Sequence, residues 1–128
     1  MSDKKLLEMR KVITMTLIQI GIRCDLRGFN YLSYAIELVI LDPSLIHGVC
    51  KGLYVKVGEH FNIAKSSNIE RNIRHAIDNT FLFKNFESLN KLIGDDLYTI
   101  KDKPTAGELI RLVAEYYNFG LYKKKNRI

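Results

Sequence analysis

Residues 65–75, KSSNIERNIRH, bring a lysine, two serines, two asparagines, a glutamate, two arginines and a histidine into one short run. This is hydrogen-bonding chemistry rather than bond-breaking chemistry. A guanidinium presents a planar fork of donors that fits O6 and N7 of guanine, and an asparagine amide can do the same for adenine. Lysine and hydroxyl groups suit phosphate oxygens. The spacing sorts these groups by face. At about 100° per residue, Ile69, Ile73, Ala76 and Thr80 share one side of a helix, with Ile77 at its margin. Asn68, Arg71, Asn72, His75 and Asn79 face the other way, and Arg74 lies at an edge. The dry side implies a neighbouring helix. The polar side is then open to a duplex groove, with Lys65, Ser66 and Ser67 beside the positive end of the helix dipole. For this helix alone, a merely solvated amphipathic face is the competing reading.

Other elements must hold that helix. Ser67, with Glu70 three residues on, reads as a capping box, so a helix starts there and runs to about Phe81. Upstream, Val57, Gly58, Phe61 and Ile63 have the spacing of the first helix and turn of a helix-turn-helix. Gly58 supplies a small residue where the two helices cross, and Asn62 tolerates the positive φ of a tight turn. Leu6, Met9, Val12, Ile13, Leu17 and Ile20 recur at helical spacing, and Gly21 is their stop. Gly28 precedes a second helix, FNYLSYAIELVIL, with Leu32, Ala35, Ile36 and Val39 as its core stripe. Asp42-Pro43 reads as the start of another, broken near Gly48 and resumed from about Val49 to His60. Phe86 to Ile93 makes a short helix stopped by Gly94. Residues 95–104 form a loop with a short extended stretch at 97–100, and Thr105 caps a last helix ending near Asn118. The expectation is an all-α fold: a six- or seven-helix bundle containing a helix-turn-helix.

Composition sets the outer limits. The 128 residues fit one domain, residues 1–128, with 119–128 as a frayed basic tail. A net charge of +6 favours anionic partners. No apolar run is long enough to span a bilayer, so no membrane partner is expected. Cys24 and Cys50 form no CxxC pair and read as reduced, buried thiols of a cytoplasmic protein. His47, Cys50 and Cys24 lack a fourth ligand, so neither a metal nor a cofactor is expected. No phosphate-cradling glycine loop, nucleophile elbow or HExxH is present, and Asp95-Asp96 reads as a solvated loop, so no enzyme is expected. Tyr116, Tyr117 and Phe119 read as helix-end packing, while the Lys123–Lys125 and Arg127 cluster suits either phosphate contact or disorder.

Several stretches carry a resemblance: IGI at 20–22, RGFNYL at 27–32, KGLY at 51–54, FN at 61–62, IERNIRHAI at 69–77, NFESLNKLIG at 85–94 and KPT at 103–105. With these, the chain resembles the C-terminal DNA-binding effector domain of the sporulation master response regulator, the stage zero sporulation protein A family, over about residues 10–117. The resemblance implies a helical effector domain of response-regulator type, likened to winged-helix folds, that binds double-stranded DNA at TGTCGAA-like promoter boxes. It implies a transcriptional regulator associated with the nucleoid, sitting as head-to-tail dimers on tandem boxes, with a sigma subunit of RNA polymerase as a further partner. By position, Glu70, Arg71, Arg74 and His75 carry the base and phosphate contacts. Glu70 thereby has two candidate roles, cap of its own helix or acceptor toward a cytosine amino group.

The sequence departs from the family pattern at four places. Asn68 stands where the family has an arginine; the turn from Phe61 to Ile69 is one residue longer; Glu59 and His60 replace a lysine pair; and Leu82, Phe83 and Lys84 replace a polar segment that in the family touches the sigma subunit. Burial of Leu82-Phe83 is the first expectation. No receiver domain lies within the 128 residues, which fits a stand-alone effector or a fragment. A stand-alone chain is expected to bind constitutively, compete for boxes, or form mixed dimers with the full-length regulator. The alternative is a protein-interaction module that modulates that regulator or RNA polymerase without specific DNA binding.

Overall fold

The computed structural model describes residues 1–48, 52–82, 86–94, 97–99 and 102–126. Among these described residues are six α-helices: α1 (Asp3–Ile20), α2 (Arg27–Leu41), α3 (Tyr54–Phe61), α4 (Ser66–Leu82), α5 (Phe86–Ile93) and α6 (Ala106–Asn118). A 3₁₀ helix, Pro43–Gly48, lies between α2 and α3, and a second, Leu121–Asn126, follows α6. Among the described residues there is no strand, so none is available to form a wing.

The apolar periodicity that builds α1 is closed at both ends. Ser2 accepts from the Lys5 amide at 3.3 Å, and Gly21, at φ 105°, turns its own amide back onto the Leu17 and Ile18 carbonyls. Helix α2 is the hub and packs against α1, α4 and α6; α3 rests on α4 and α2, and α5 on α1. Its core stripe of Leu32, Ala35, Ile36 and Val39 is buried as the spacing predicts. Gly28, however, is not a lead-in. It lies inside the first turn of α2, where a Cβ would overlap the backbone carbonyl of Asn72 and stand 2.9 Å from the Ala76 Cβ. The crossing of α2 on α4 is therefore close, and a glycine sets it.

Asp42 does begin a helical segment, but a 3₁₀ one. Its Oδ1 accepts from the Ser44 amide at 3.2 Å and from the Ser44 hydroxyl at 2.6 Å. The next helix is shorter than its sequence pattern: α3 opens at Tyr54 behind a π turn at residues 52 and 53, and the expected start at Val49 lies outside the described residues. At the far end, Asn90 holds the loop before α6. Its amide donates to the Tyr98 carbonyl at 2.7 Å and accepts from the Tyr98 amide at 2.9 Å. The expected extended stretch is thus tied to a side chain rather than to a second strand. The Tyr98 hydroxyl donates to Glu108 at 3.0 Å; burial, then the Glu108 carboxylate, push this phenol up to about 12. Thr105 caps α6 by accepting from the Glu108 amide at 3.2 Å.

Three expectations need correcting. Cys24 is exposed rather than buried, because it sits in the turn between α1 and α2; Cys50 lies outside the described residues. Residues 121–126 form a 3₁₀ helix instead of fraying, since Tyr122 stacks on Tyr117 with ring centroids 5.5 Å apart. Tyr116 is buried, but Phe119 is 74% exposed and packs no helix end. Among the described residues, no helix is long and apolar enough to cross a membrane.

Candidate nucleic-acid interface

Helix α3, the turn at residues 62–65 and α4 form the helix-turn-helix. The turn rests on two residues. Asn62 takes the left-handed conformation, φ 59° and ψ 41°, which asparagine tolerates better than other side chains. The Ile63 amide then bonds the Gly58 carbonyl at 2.8 Å. A Cβ on Gly58 would lie 2.7 Å from the Ile63 carbonyl oxygen, so the chain can fold back only over a glycine. The ring of His60 stacks on Tyr34 of α2, centroids 3.9 Å apart and 14° from parallel, and meets Phe61 edge-on. That contact fastens α3 to the hub, and His60 serves packing.

The start of α4 differs from the capping box. The helix already begins at Ser66, and the Asn68 amide bonds the Lys65 carbonyl at 3.0 Å, so Ser67 lies within the first turn rather than ahead of it. Glu70 accordingly does not reach back. It turns forward to Arg74, whose Nη1 donates to both carboxylate oxygens at 2.9 and 3.2 Å. The buried side is as spaced: Ile69, Ile73, Ala76, Ile77, Thr80 and Phe81. Thr80 satisfies its hydroxyl on the Ala76 carbonyl at 2.8 Å, which lets a polar residue join the core.

On the outer face, Arg71, Arg74 and His75 are exposed, and Asn68, Glu70 and Asn72 are half-buried. Arg71 donates through Nη2 to the Asn68 side-chain oxygen at 2.7 Å. Asn72 spends its amide on the Asn68 backbone carbonyl, also at 2.7 Å. The structure therefore groups Asn68 with Arg71 and Asn72, and Glu70 with Arg74. Lys65 and Ser67 stand exposed at the helix start with Ser66 half-buried between them, outside those groups. His75 also stands outside them and lines a shallow groove with Asp78, Asn79, Phe81, Leu82 and Lys103. Sequence reasoning missed Lys103, which comes from the loop before α6 and pairs with Asp78 across the groove. Its only signal was its place in the KPT match. Leu82 is 72% exposed, contrary to the expected burial, because α4 ends there with its apolar side already filled; Phe83 and Lys84 lie outside the described residues.

The edges available on the two arginines differ. Where a guanidinium grips a carboxylate side-on in this chain, as Arg10 does with Glu37 at 2.6 and 3.3 Å, it uses Nε and Nη2. Arg74 gives Glu70 only Nη1, which leaves its Nε–Nη2 edge turned away from the carboxylate. Arg71 already uses Nη2, so one of its two forks is engaged.

This helix-turn-helix, with its buried isoleucines and outward guanidinium groups, has a counterpart among known families. The family model described as sporulation initiation factor Spo0A C terminal matches residues 13–117, from within α1 to the last turn of α6. The chain belongs to this family. The Spo0A C-terminal family is a helical DNA-binding effector domain of sporulation regulation, so the partner class of the chain is double-stranded DNA. The match takes in α2 to α5 whole, with part of α1 and nearly all of α6, and so includes the hub that carries α4.

Proposed function

We propose that α4 enters the major groove of TGTCGAA-like promoter boxes and that its outer face reads them. The observation carrying this reading is that both arginines of α4 stand in solvent, each oriented by a neighbour one turn earlier rather than folded onto the core. Arg74 grips guanine O6 and N7 with its Nε–Nη2 edge, and Arg71 takes a second guanine or a phosphate. Glu70 steers Arg74 and can accept from a neighbouring cytosine amino group. Asn72 and His75 line the same face and fix the register, and Asn68 lies beside Arg71 with its side-chain oxygen engaged by that guanidinium. Lys65, Ser66 and Ser67 hold phosphate at the helix start. The head-to-tail arrangement on tandem boxes and the sigma-subunit contact belong to the same reading. Retardation of a TGTCGAA duplex in a gel at salt that releases a shuffled duplex supports it; equal retardation of both removes it.

A second reading has one observation behind it. Exposed Leu82, beside the groove of His75 and Lys103, is an apolar residue where a protein partner could seat. On this reading the chain retards TGTCGAA and shuffled duplexes equally, and Leu82→Asp abolishes its complex with the full-length regulator or RNA polymerase; box-specific retardation removes it.

A further inference from the structure

We infer that Asn68 is a positioning residue whose task is to hold the guanidinium of Arg71 in one orientation without cancelling its charge. The inference rests on the DNA-reading role proposed for α4. The main chain of Asn68 is held at two points: its amide donates to the Lys65 carbonyl at 3.0 Å, and its carbonyl accepts the Asn72 side-chain amide at 2.7 Å. Its side chain is half-buried, and Arg71 Nη2 is bonded to the side-chain oxygen at 2.7 Å. An arginine can only donate, so the amide must present its oxygen to Arg71 and turn its NH₂ group away.

The two arginines of α4 are thus restrained by opposite chemistry. Glu70 restrains Arg74 with a full negative charge. Asn68 restrains Arg71 with a neutral dipole, leaving the positive charge undiminished for a guanine or phosphate. A long side chain loses rotamer freedom when it binds, and one already held loses less. Asn68 therefore raises discrimination through Arg71. It also decides which edge of that guanidinium faces the groove, because one bond to Nη2 leaves only one of its forks complete. The structure supplies this restraint before any DNA is present.

The test uses the full 128-residue chain. Binding to a TGTCGAA duplex and to a shuffled duplex is measured by fluorescence anisotropy for wild type, Asn68→Ala, Asn68→Asp, Arg71→Ala and the Asn68→Ala/Arg71→Ala double variant. Asn68→Ala is expected to lower the ratio of the two affinities roughly 3- to 10-fold, with shuffled-duplex affinity and salt dependence unchanged. Asn68→Asp keeps the acceptor, so it retains the base preference while binding all DNA more weakly. In the Arg71→Ala background, Asn68→Ala has no further effect. An equal loss in both backgrounds overturns the inference, since Asn68 would then read a base itself; no loss in either overturns it as well. A second readout needs no DNA. Rotation about the Arg71 Nε–Cζ bond, followed by ¹⁵N NMR in the free protein, is slow in wild type and faster in Asn68→Ala. Equal rates overturn the inference while leaving the DNA-reading role intact. A wild type that prefers no box, with rotation still governed by Asn68, overturns the DNA reading and with it the specificity role.

Discussion

Glu70 holds Arg74 through one nitrogen: Nη1 lies 2.9 and 3.2 Å from the two carboxylate oxygens, and the side-on edge of the guanidinium is left over. The pair is exposed and one turn apart, so its share in stability is about 0.3–0.5 kcal/mol. Its effect on recognition is larger. Glu70→Gln removes a negative charge from the face proposed to meet DNA. Affinity for shuffled DNA is expected to rise, and the slope of log affinity against log salt to steepen by up to about one, while preference for the box falls. Salt titrations on the two duplexes check both.

Gly28 sets how deeply α4 seats against the hub. Gly28→Ala drives a methyl into the Asn72 carbonyl, and backbone cannot rotate away. A loss of about 1–3 kcal/mol is expected in urea unfolding. Gly52→Ala, where nothing lies within 4 Å, is the control and should cost nothing measurable or stabilise slightly. Because Asn72 belongs to α4, the helix proposed to read the box, Gly28→Ala should also weaken box binding, although Gly28 has no place on the outer face.

Arg10 and Glu37 join α1 to α2, with the Glu37 side chain 8% exposed and that of Arg10 52% exposed. Hydrogen bonding and charge from Glu37 raise the Arg10 pKa above its usual value. Removing the arginine strands a carboxylate in a mostly dry site, whereas Glu37→Gln removes the charge itself. Arg10→Ala should therefore destabilise more than Glu37→Gln. Chemical unfolding of both variants gives the order.

Tyr98 predicts the alkaline limb. Its phenol ionises at about 12 in the folded chain, against an ordinary value of 10.0. A raised folded pKa means the unfolded chain loses its proton first. The contribution is complete below pH 10 and is lost as pH rises from about 10 to about 12. Tyr116 and Tyr117 shift the same way through burial. Tyr98→Phe should be less stable at neutral pH, by about 1 kcal/mol for the lost hydroxyl bond, and should decline less steeply above pH 10. Thermal unfolding across that range decides it.

The legible parts of the chain were those written in periodicity. The stripe Ile69, Ile73, Ala76 and Thr80, the stops at Gly21 and Gly94, and the left-handed Asn62 follow from local rules and stand in the structure as read. What escaped was decided by distant partners. Gly28 looks like a boundary until Asn72 is placed against it, and Glu70 looks like a cap until α4 begins one residue sooner and Arg74 comes within reach. Lys103 and Leu82 lie far apart in sequence from His75 or at a helix end, and only the packing of α4 against the α6 side brings them into one groove. The family match told which partner class to expect.

The most direct test replaces guanine by 7-deazaguanine, one position at a time, in a TGTCGAA duplex. This swaps a single N7 acceptor for a C–H and leaves the rest of the groove in place. One guanine position should weaken wild-type binding by about 1–3 kcal/mol, and Arg74→Ala should lose its sensitivity at that position. If no position matters, or if Arg74→Ala remains as sensitive as wild type, α4 does not read bases with this arginine and the account is wrong.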